Sequence, residues 1–202
     1  MKSQNVKCII LGHQNLVEYD KFVFLYTEEL GKIKVVAKGA RKITSKFMGH
    51  LETLNFAIAE IYIGPKNIIL KEIITIKNFK KIRNNLERLR AALQIAEITN
   101  QIIYENQKIE NLFELLTDAM KQLSISNKPL LAAQSYIVKI LDKAGMIPDF
   151  KTISTKIDKK YLKFLHFLKT QPIQETERIA IDKHEEQIVN GLFQKLIAYS
   201  TY

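Results

Sequence analysis

Near residue 80 the apolar residues of this chain change their spacing, from every second position to every third and fourth. A strand that buries one face repeats at two residues and a helix at 3.6, so such a change divides a chain into two kinds of structure. Before the change, β-branched and aromatic residues alternate in Val6 to Leu11, Lys21 to Thr27, Lys32 to Ala37, Leu54 to Ile63 and Ile68 to Ile76. Turn formers separate these runs: GHQN at 12–15, EELGK at 28–32, a basic loop at 38–50 containing Gly39 and Gly49, and GPKN at 64–67. Five short strands with no helix between most of them predict a small closed or half-closed β-barrel of the OB type, with an SH3-like barrel as the alternative. Phe22, Phe24 and Tyr26 share a strand face and are read as core packing, with Phe56 and the isoleucines of the later strands as partners.

After residue 80 the pattern is helical. NNLERLRAALQIAEITNQIIYEN places Leu86, Leu89, Leu93, Ala96, Asn100 and Ile103 on one stripe, with Ile95, Ile98 and Ile102 beside it. That face is too broad for a surface helix and predicts the centre of a bundle. Further helices are expected over Asn111 to Leu123, Pro129 to Ala144, Lys159 to Lys169 and Asp182 to Tyr199. Pro129 suits a first helical turn, Gly145 a helix stop, and Asp182 with Glu185 a capping box. The expected fold is therefore α+β: a five-stranded barrel over residues 1–80, then an all-helical domain over residues 81–202.

Charge narrows the function. Lys and Arg number 31 against 21 Asp and Glu, a formal net charge of +10, and residues 1–80 alone hold 13 basic and 7 acidic side chains. Such an excess favours polyanions, and it is densest in the barrel half. No run of about 18 apolar residues occurs and Met1 to Asn5 is polar, so neither a membrane span nor a secretory signal is expected. The single cysteine, Cys8, lies in an apolar run and reads as a buried, inert thiol.

The densest basic stretch is KIKVVAKGARKITSK, with Lys32, Lys34, Lys38, Arg41, Lys42 and Lys46 and no acid. On a strand, Lys32, Lys34, Val36 and Lys38 face one side and Ile33, Val35 and Ala37 the other. Like charges this close repel, and a phosphate backbone relieves the repulsion as its counterions are released. These six residues are the candidate nucleic-acid contacts. Tyr19 and Phe47, flanking them, are the candidates for stacking on bases.

Catalytic motifs are missing. There is no phosphate-binding G-x-x-x-x-G-K-[ST] loop, no G-x-G-x-x-G and no H-E-x-x-H, and His13, His50, His166 and His184 have no ligand spacing. KGAR at 38–41 is similar to the nucleotidyl-accepting lysine motif of ligases, but Ala40 stands where that motif needs aspartate. The residues leave three functions open: a non-enzymatic DNA-binding protein, an RNA-binding OB protein, and a nucleic-acid enzyme without a known motif.

EYDKFVFLYTEELGKIKVVAKGARKITSKFMGHLETL, residues 18–54, resembles the RecO family of bacterial recombination mediators through TEELGK-I-x-V-V-A-K-G-A-R and the following S-[KR]-x-x-G-x-L-E. LERLRAALQIAEITNQI and NLFELLTDAM extend a weaker similarity into the helices. The resemblance implies an N-terminal OB-fold that binds single- and double-stranded DNA, a helical domain, annealing of complementary strands, and a cytoplasmic, nucleoid-associated bacterial protein. It also implies cooperation with RecR in loading RecA, so that RecA is an indirect partner, and contact with the acidic C-terminal tail of single-stranded DNA-binding protein. For that tail the helix at 129–144 offers Leu131 and Val138 as apolar contacts and Lys139 and Lys143 as cations; the alternative is an ordinary bundle helix. Many members of the family carry a four-cysteine zinc motif where this chain has MIPDFKTISTKIDKKY, without cysteine. No metal and no other cofactor is therefore expected, with YLKFLHFLK at 161–169 packing where the metal would otherwise hold the chain.

Overall fold

The structure, a computed structural model, describes residues 2–147, 159–180, and then 182, 185, 187–191 and 193. Five strands come first: β1 (Lys2–Asn15), β2 (Lys21–Thr27), β3 (Gly31–Ala37), β4 (Phe56–Ile63) and β5 (Ile68–Lys77). They close into a barrel in the order β1-β2-β3-β5-β4. All pairs are antiparallel except β3 with β5, the closing pair. This is the OB-type barrel expected from the alternation.

Its interior follows the period of two. Val6, Cys8 and Ile10 of β1, Val23 and Leu25 of β2, and Ile33, Val35 and Ala37 of β3 meet Ala57, Ala59 and Ile61 of β4 and Leu70 and Ile73 of β5. Phe47 and Leu51, from the long β3–β4 connection, complete the packing. Cys8 is fully buried here, and burial pushes its thiol up to about 12.

One expectation about the barrel is corrected. GHQN is not a turn: Gly12 to Asn15 continue β1 and pair with Phe24 to Lys21. A register shift between Ile10 and Gly12 bends the strand there, so it wraps the barrel instead of ending. Phe22, Phe24 and Tyr26 point out of the barrel, because Val23 and Leu25 occupy the inward positions of β2. Tyr26, Phe24 and Phe56 do pack as core, in the one shared with the helices.

The helices are α1 (Lys80–Arg83), α2 (Leu86–Ile102), α3 (Leu112–Leu123), α4 (Pro129–Lys143) and α5 (Lys159–Thr170), followed by a 3-10 turn at Ile173–Arg178. The helix expected over Asp182 to Tyr199 lies largely outside the described residues. Asn85 caps α2, its side chain accepting from the Arg88 N–H at 3.0 Å. α4 begins at Pro129 and stops at Gly145, whose positive φ of 71° lets Gly145 N–H reach Asp142 O and Met146 N–H reach Leu141 O. Asp182 and Glu185 exchange reciprocal hydrogen bonds of 3.2 and 2.8 Å, the capping box read from their spacing.

One continuous core joins the barrel to the helices. Ile9, Leu11, Tyr26 and Leu54 of the barrel half pack with Ile95, Ile98 and Ile102 of α2, Leu112 and Leu116 of α3, and Tyr136 and Ile140 of α4. The buried stripe of α2 is rotated from the expected one: Ala91, Ala92, Ile95, Ala96, Ile98, Thr99 and Ile102 are inside, while Leu86 and Leu93 are 62% and 42% exposed. The small residues let α2 lie close to both neighbours. No described helix is long and apolar enough to cross a membrane.

Candidate nucleic-acid interface

Chain segments at one end of the barrel hold the basic loop. After β3, Gly39 N–H donates to the Asp20 carboxylate at 2.7 Å, and Arg41 N–H donates to Tyr19 O at 2.8 Å. The Arg41 guanidinium donates to Leu16 O at 3.1 Å. The β1–β2 loop and the start of the β3–β4 connection are thereby tied together. Successive turns follow, with Lys42 N–H to Gly39 O, Ser45 N–H to Lys42 O and Met48 N–H to Ser45 O. These turns hold the loop's backbone in place, and Lys38, Arg41, Lys42, Thr44 and Lys46 are left exposed.

Tyr19, expected as a stacking residue, is 55% exposed and has the Lys42 ammonium 5.8 Å from its ring centre. The arrangement sets an aromatic face beside a cation, the pairing that contacts a base and its phosphate together. Two apolar tips that the sequence reading missed, Val17 and Ile43, are 87% and 90% exposed on the two joined loops. Their signal was present as single apolar residues inside polar turns. A groove of about 200 Å³ runs beside the loop, lined by His13 and Lys21 on one side and Phe47 and Met48 on the other.

The remaining candidates sit elsewhere. Lys32 is only 7% exposed, and its ammonium donates to Asn100 O and, at 2.8 Å, to Ile103 O. These are carbonyls at the C-terminal end of α2, which has no helical partner for them and carries negative partial charge. Burial pulls the Lys32 ammonium below its ordinary lysine value, with Glu105 opposing the shift and Lys34 adding to it. Lys32 is therefore a helix cap and not a surface contact. Lys34 is on the expected face but pairs with Glu105 at 3.0 Å and lies 5.1 Å from the Phe22 ring centre. That half-exposed pair is weak enough to exchange for a phosphate. Phe47 is corrected too: at 3% exposure it fills the barrel, and only Lys46, 5.6 Å from its ring centre, marks its outer side.

Of the partner-peptide residues only Lys143 is exposed. Leu131 and Val138 are 5% and 1% exposed, since α4 is enclosed by α2, α3 and α5. Lys139 donates to Lys169 O at 2.7 Å near the end of α5, and Lys143 donates to Glu110 O at 3.0 Å. Burial lowers the Lys139 ammonium, which Asp142 opposes and Lys143 reinforces. Both lysines clasp neighbouring backbone instead of facing a groove. Among the described residues no group of three or more His, Cys, Asp or Glu could hold a metal ion. His166 stands on α5, and His184 lies outside the described residues.

Over residues 1–79 the chain matches the family model described as "Recombination protein O N terminal", and over residues 83–154 the one described as "Recombination protein O C terminal". It is 31% identical over 149 residues to the DNA repair protein RecO of Thermoanaerobacter sp. (strain X514), covering 73% of this chain and 60% of that protein. To the protein of the same name from Acetivibrio thermocellus it is 29% identical over 162 residues, 78% of this chain and 64% of the relative. To that of Syntrophobacter fumaroxidans it is 31% identical over 150 residues, 73% and 59% of the two. The chain therefore spans about 60% of the length of these curated relatives. With a closed OB barrel, a helical region joined to it and both halves matched in order, the chain belongs to the RecO family of DNA repair proteins.

Proposed function

We propose that this protein is a recombination mediator: it binds single- and double-stranded DNA, anneals complementary strands and helps load RecA, without catalysing a reaction of its own. Residues 1–80 act as the DNA-binding domain and residues 81–202 as the helical domain. RecR and the acidic tail of single-stranded DNA-binding protein are its protein partners, in the bacterial cytoplasm at the nucleoid. The observation that carries the DNA reading is the loop at 38–46, where Lys38, Arg41, Lys42 and Lys46 stand exposed without an acid among them, beside exposed Tyr19. Four cations on a chain segment tied to its neighbour offer phosphates a preformed site, so little ordering is lost on binding.

The test is the salt dependence of binding to single strands. Four phosphates neutralised predict a slope of log affinity against log salt of about −3, at about −0.7 per contact. Reversing charge with Arg41→Glu and Lys42→Glu should weaken binding to every sequence alike and lower the slope by at least about 1.4. A slope near zero in the unaltered protein would refute the electrostatic reading. Annealing of complementary oligonucleotides, with and without single-stranded DNA-binding protein, then separates a mediator from a passive binder. Stronger competition by RNA than by DNA of the same sequence would transfer the site to RNA.

A further inference from the structure

A second basic run without an acid, KNFKKIR, spans Lys77 to Arg83 where the barrel ends and the helices begin. Here the chain turns sharply: Phe79 has a positive φ of 51°, which a bulky aromatic adopts only when its surroundings impose it. Its ring packs toward the shared core, and Lys77, Lys80 and Lys81 on either side remain exposed. They line a cleft of about 740 Å³ together with Met48, His50 and Ile76. None of the three ammonium groups has a carboxylate partner among the described residues.

The fourth cation of the run braces this wall. Arg83 donates to Asn78 O at 2.7 Å, to Thr53 O at 2.8 Å and to the Asn55 side-chain oxygen at 3.0 Å. It also pairs with Glu52 at 3.5 Å, and Glu52 is the one carboxylate among the described residues that line the cleft. The cleft thus holds three cations without a carboxylate partner among the described residues and one carboxylate, Glu52, paired with Arg83. Ile76 and Met48, 47% and 62% exposed, add apolar surface next to those charges. Cations that track a backbone, with apolar side chains for base faces, are what a single strand requires. Met48, Gly49 and Glu52 line both this cleft and the groove beside the 38–46 loop, so one ridge of chain separates the two.

We propose that the cleft formed by Lys77, Lys80 and Lys81 is a second phosphate-backbone site, which takes a second nucleic-acid strand while the 38–46 loop holds the first. The cleft's own affinity is independent of the loop, and only the pairing of two strands rests on the loop reading. Two strands bound across one ridge are brought within reach of each other, which is the geometry that annealing needs.

The experiment uses two non-complementary oligonucleotides, one carrying a donor and one an acceptor fluorophore, mixed with the whole chain or with either of two variants. One variant is Lys77→Gln, Lys80→Gln and Lys81→Gln; the other is Arg41→Glu and Lys42→Glu. The unaltered protein should give energy transfer. The cleft variant should lose that transfer, retain one strand, lower the salt slope by about 2, and melt at an unchanged temperature. A cleft variant that keeps both transfer and slope overturns the proposal. A loop variant without effect beside a cleft variant without transfer would sink the loop reading and leave the cleft standing. Loss of polyglutamate binding in the cleft variant, with DNA binding intact, would also overturn it by giving the cleft to an acidic protein segment.

Discussion

The ammonium of Lys32 sits against the last carbonyls of α2, whereas that of Lys42 lies over an exposed tyrosine. Replacing Lys32 by alanine leaves buried acceptors without a donor, so Lys32→Ala should cost about 1–3 kcal/mol of stability and leave DNA affinity unchanged. Lys42→Ala should stay within about 0.5 kcal/mol in urea unfolding and weaken DNA binding. A Lys32→Ala protein of full stability with poor DNA binding would return Lys32 to the interface. Cys8 predicts a pH effect. Its thiol ionises near 9.0 in the unfolded chain and near 12 when folded, so its contribution is complete below pH 9 and falls away as pH rises from there. At pH 10 the loss is about 1.4 kcal/mol. Cys8→Ala should therefore show a smaller drop in melting temperature between pH 8 and 10 than the unaltered chain. Tyr26 and Tyr136, also raised by burial, make the same kind of loss from a higher starting point, while Lys32 and Lys139, lowered by burial, act in the opposite direction. Equal drops in the two proteins would show that Cys8 is not sealed in the barrel.

Among elements, backbone hydrogen bonds fasten the β2–β3 hairpin to the α2–α3 connection, beside the side-chain contacts of Tyr26, Lys32 and Lys34. Lys32 N–H donates to Gln107 O at 3.0 Å, Asn106 N–H donates to Lys32 O at 2.6 Å, and Thr27 closes the hairpin by donating to Gly31 O at 2.9 Å. Gly31 has a φ of 70°, and a Cβ there would lie 2.2 Å from Gln107 O. Gly31→Ala should thus cost left-handed strain together with a forced separation of hairpin and helices, in total at least about 2 kcal/mol. Gly49 has a φ of 74° with nothing within 4 Å, so Gly49→Ala should cost only the strain, about 1 kcal/mol. Equal urea midpoints for the two variants would mean that the hairpin is not held there. Four of the five strands were legible to within two residues, because alternation on a half-buried strand is local. The extent of β1 was not, since a bulge keeps pairing alive through residues that otherwise read as a turn. Nor was the rotation of α2, whose buried face is chosen by β1, α3 and α4 together.

In the whole molecule, β1 has no solvent side from Cys8 to Leu11: Cys8 and Ile10 enter the barrel while Ile9 and Leu11 enter the core shared with the helices. A strand common to both cores should make them unfold together. Leu25→Ala in the barrel and Leu116→Ala in α3 should each lower one common transition, by about 2–5 kcal/mol for a buried leucine. Two separate calorimetric transitions, with Leu25→Ala moving one alone, would contradict this.

The order of barrel and helices, the alternation that fills the barrel, the helix stop at Gly145, the capping box at Asp182 and Glu185, and the acid-free loop at 38–46 are all legible in the sequence. Each of these depends on residues a few positions apart, where period, caps and charge density are set. Which cations face solvent is set by packing between segments far apart in the chain. Lys143 meets Glu110 O while staying exposed, whereas Lys32 and Lys139 read as surface lysines, yet each is drawn in to meet backbone carbonyls distant in sequence. The same holds for Leu131 and Val138, whose helix is amphipathic in pattern but enclosed on every side by partners brought from elsewhere. Exposure depends on what the rest of the chain lays over a residue, and spacing along the chain carries no record of it.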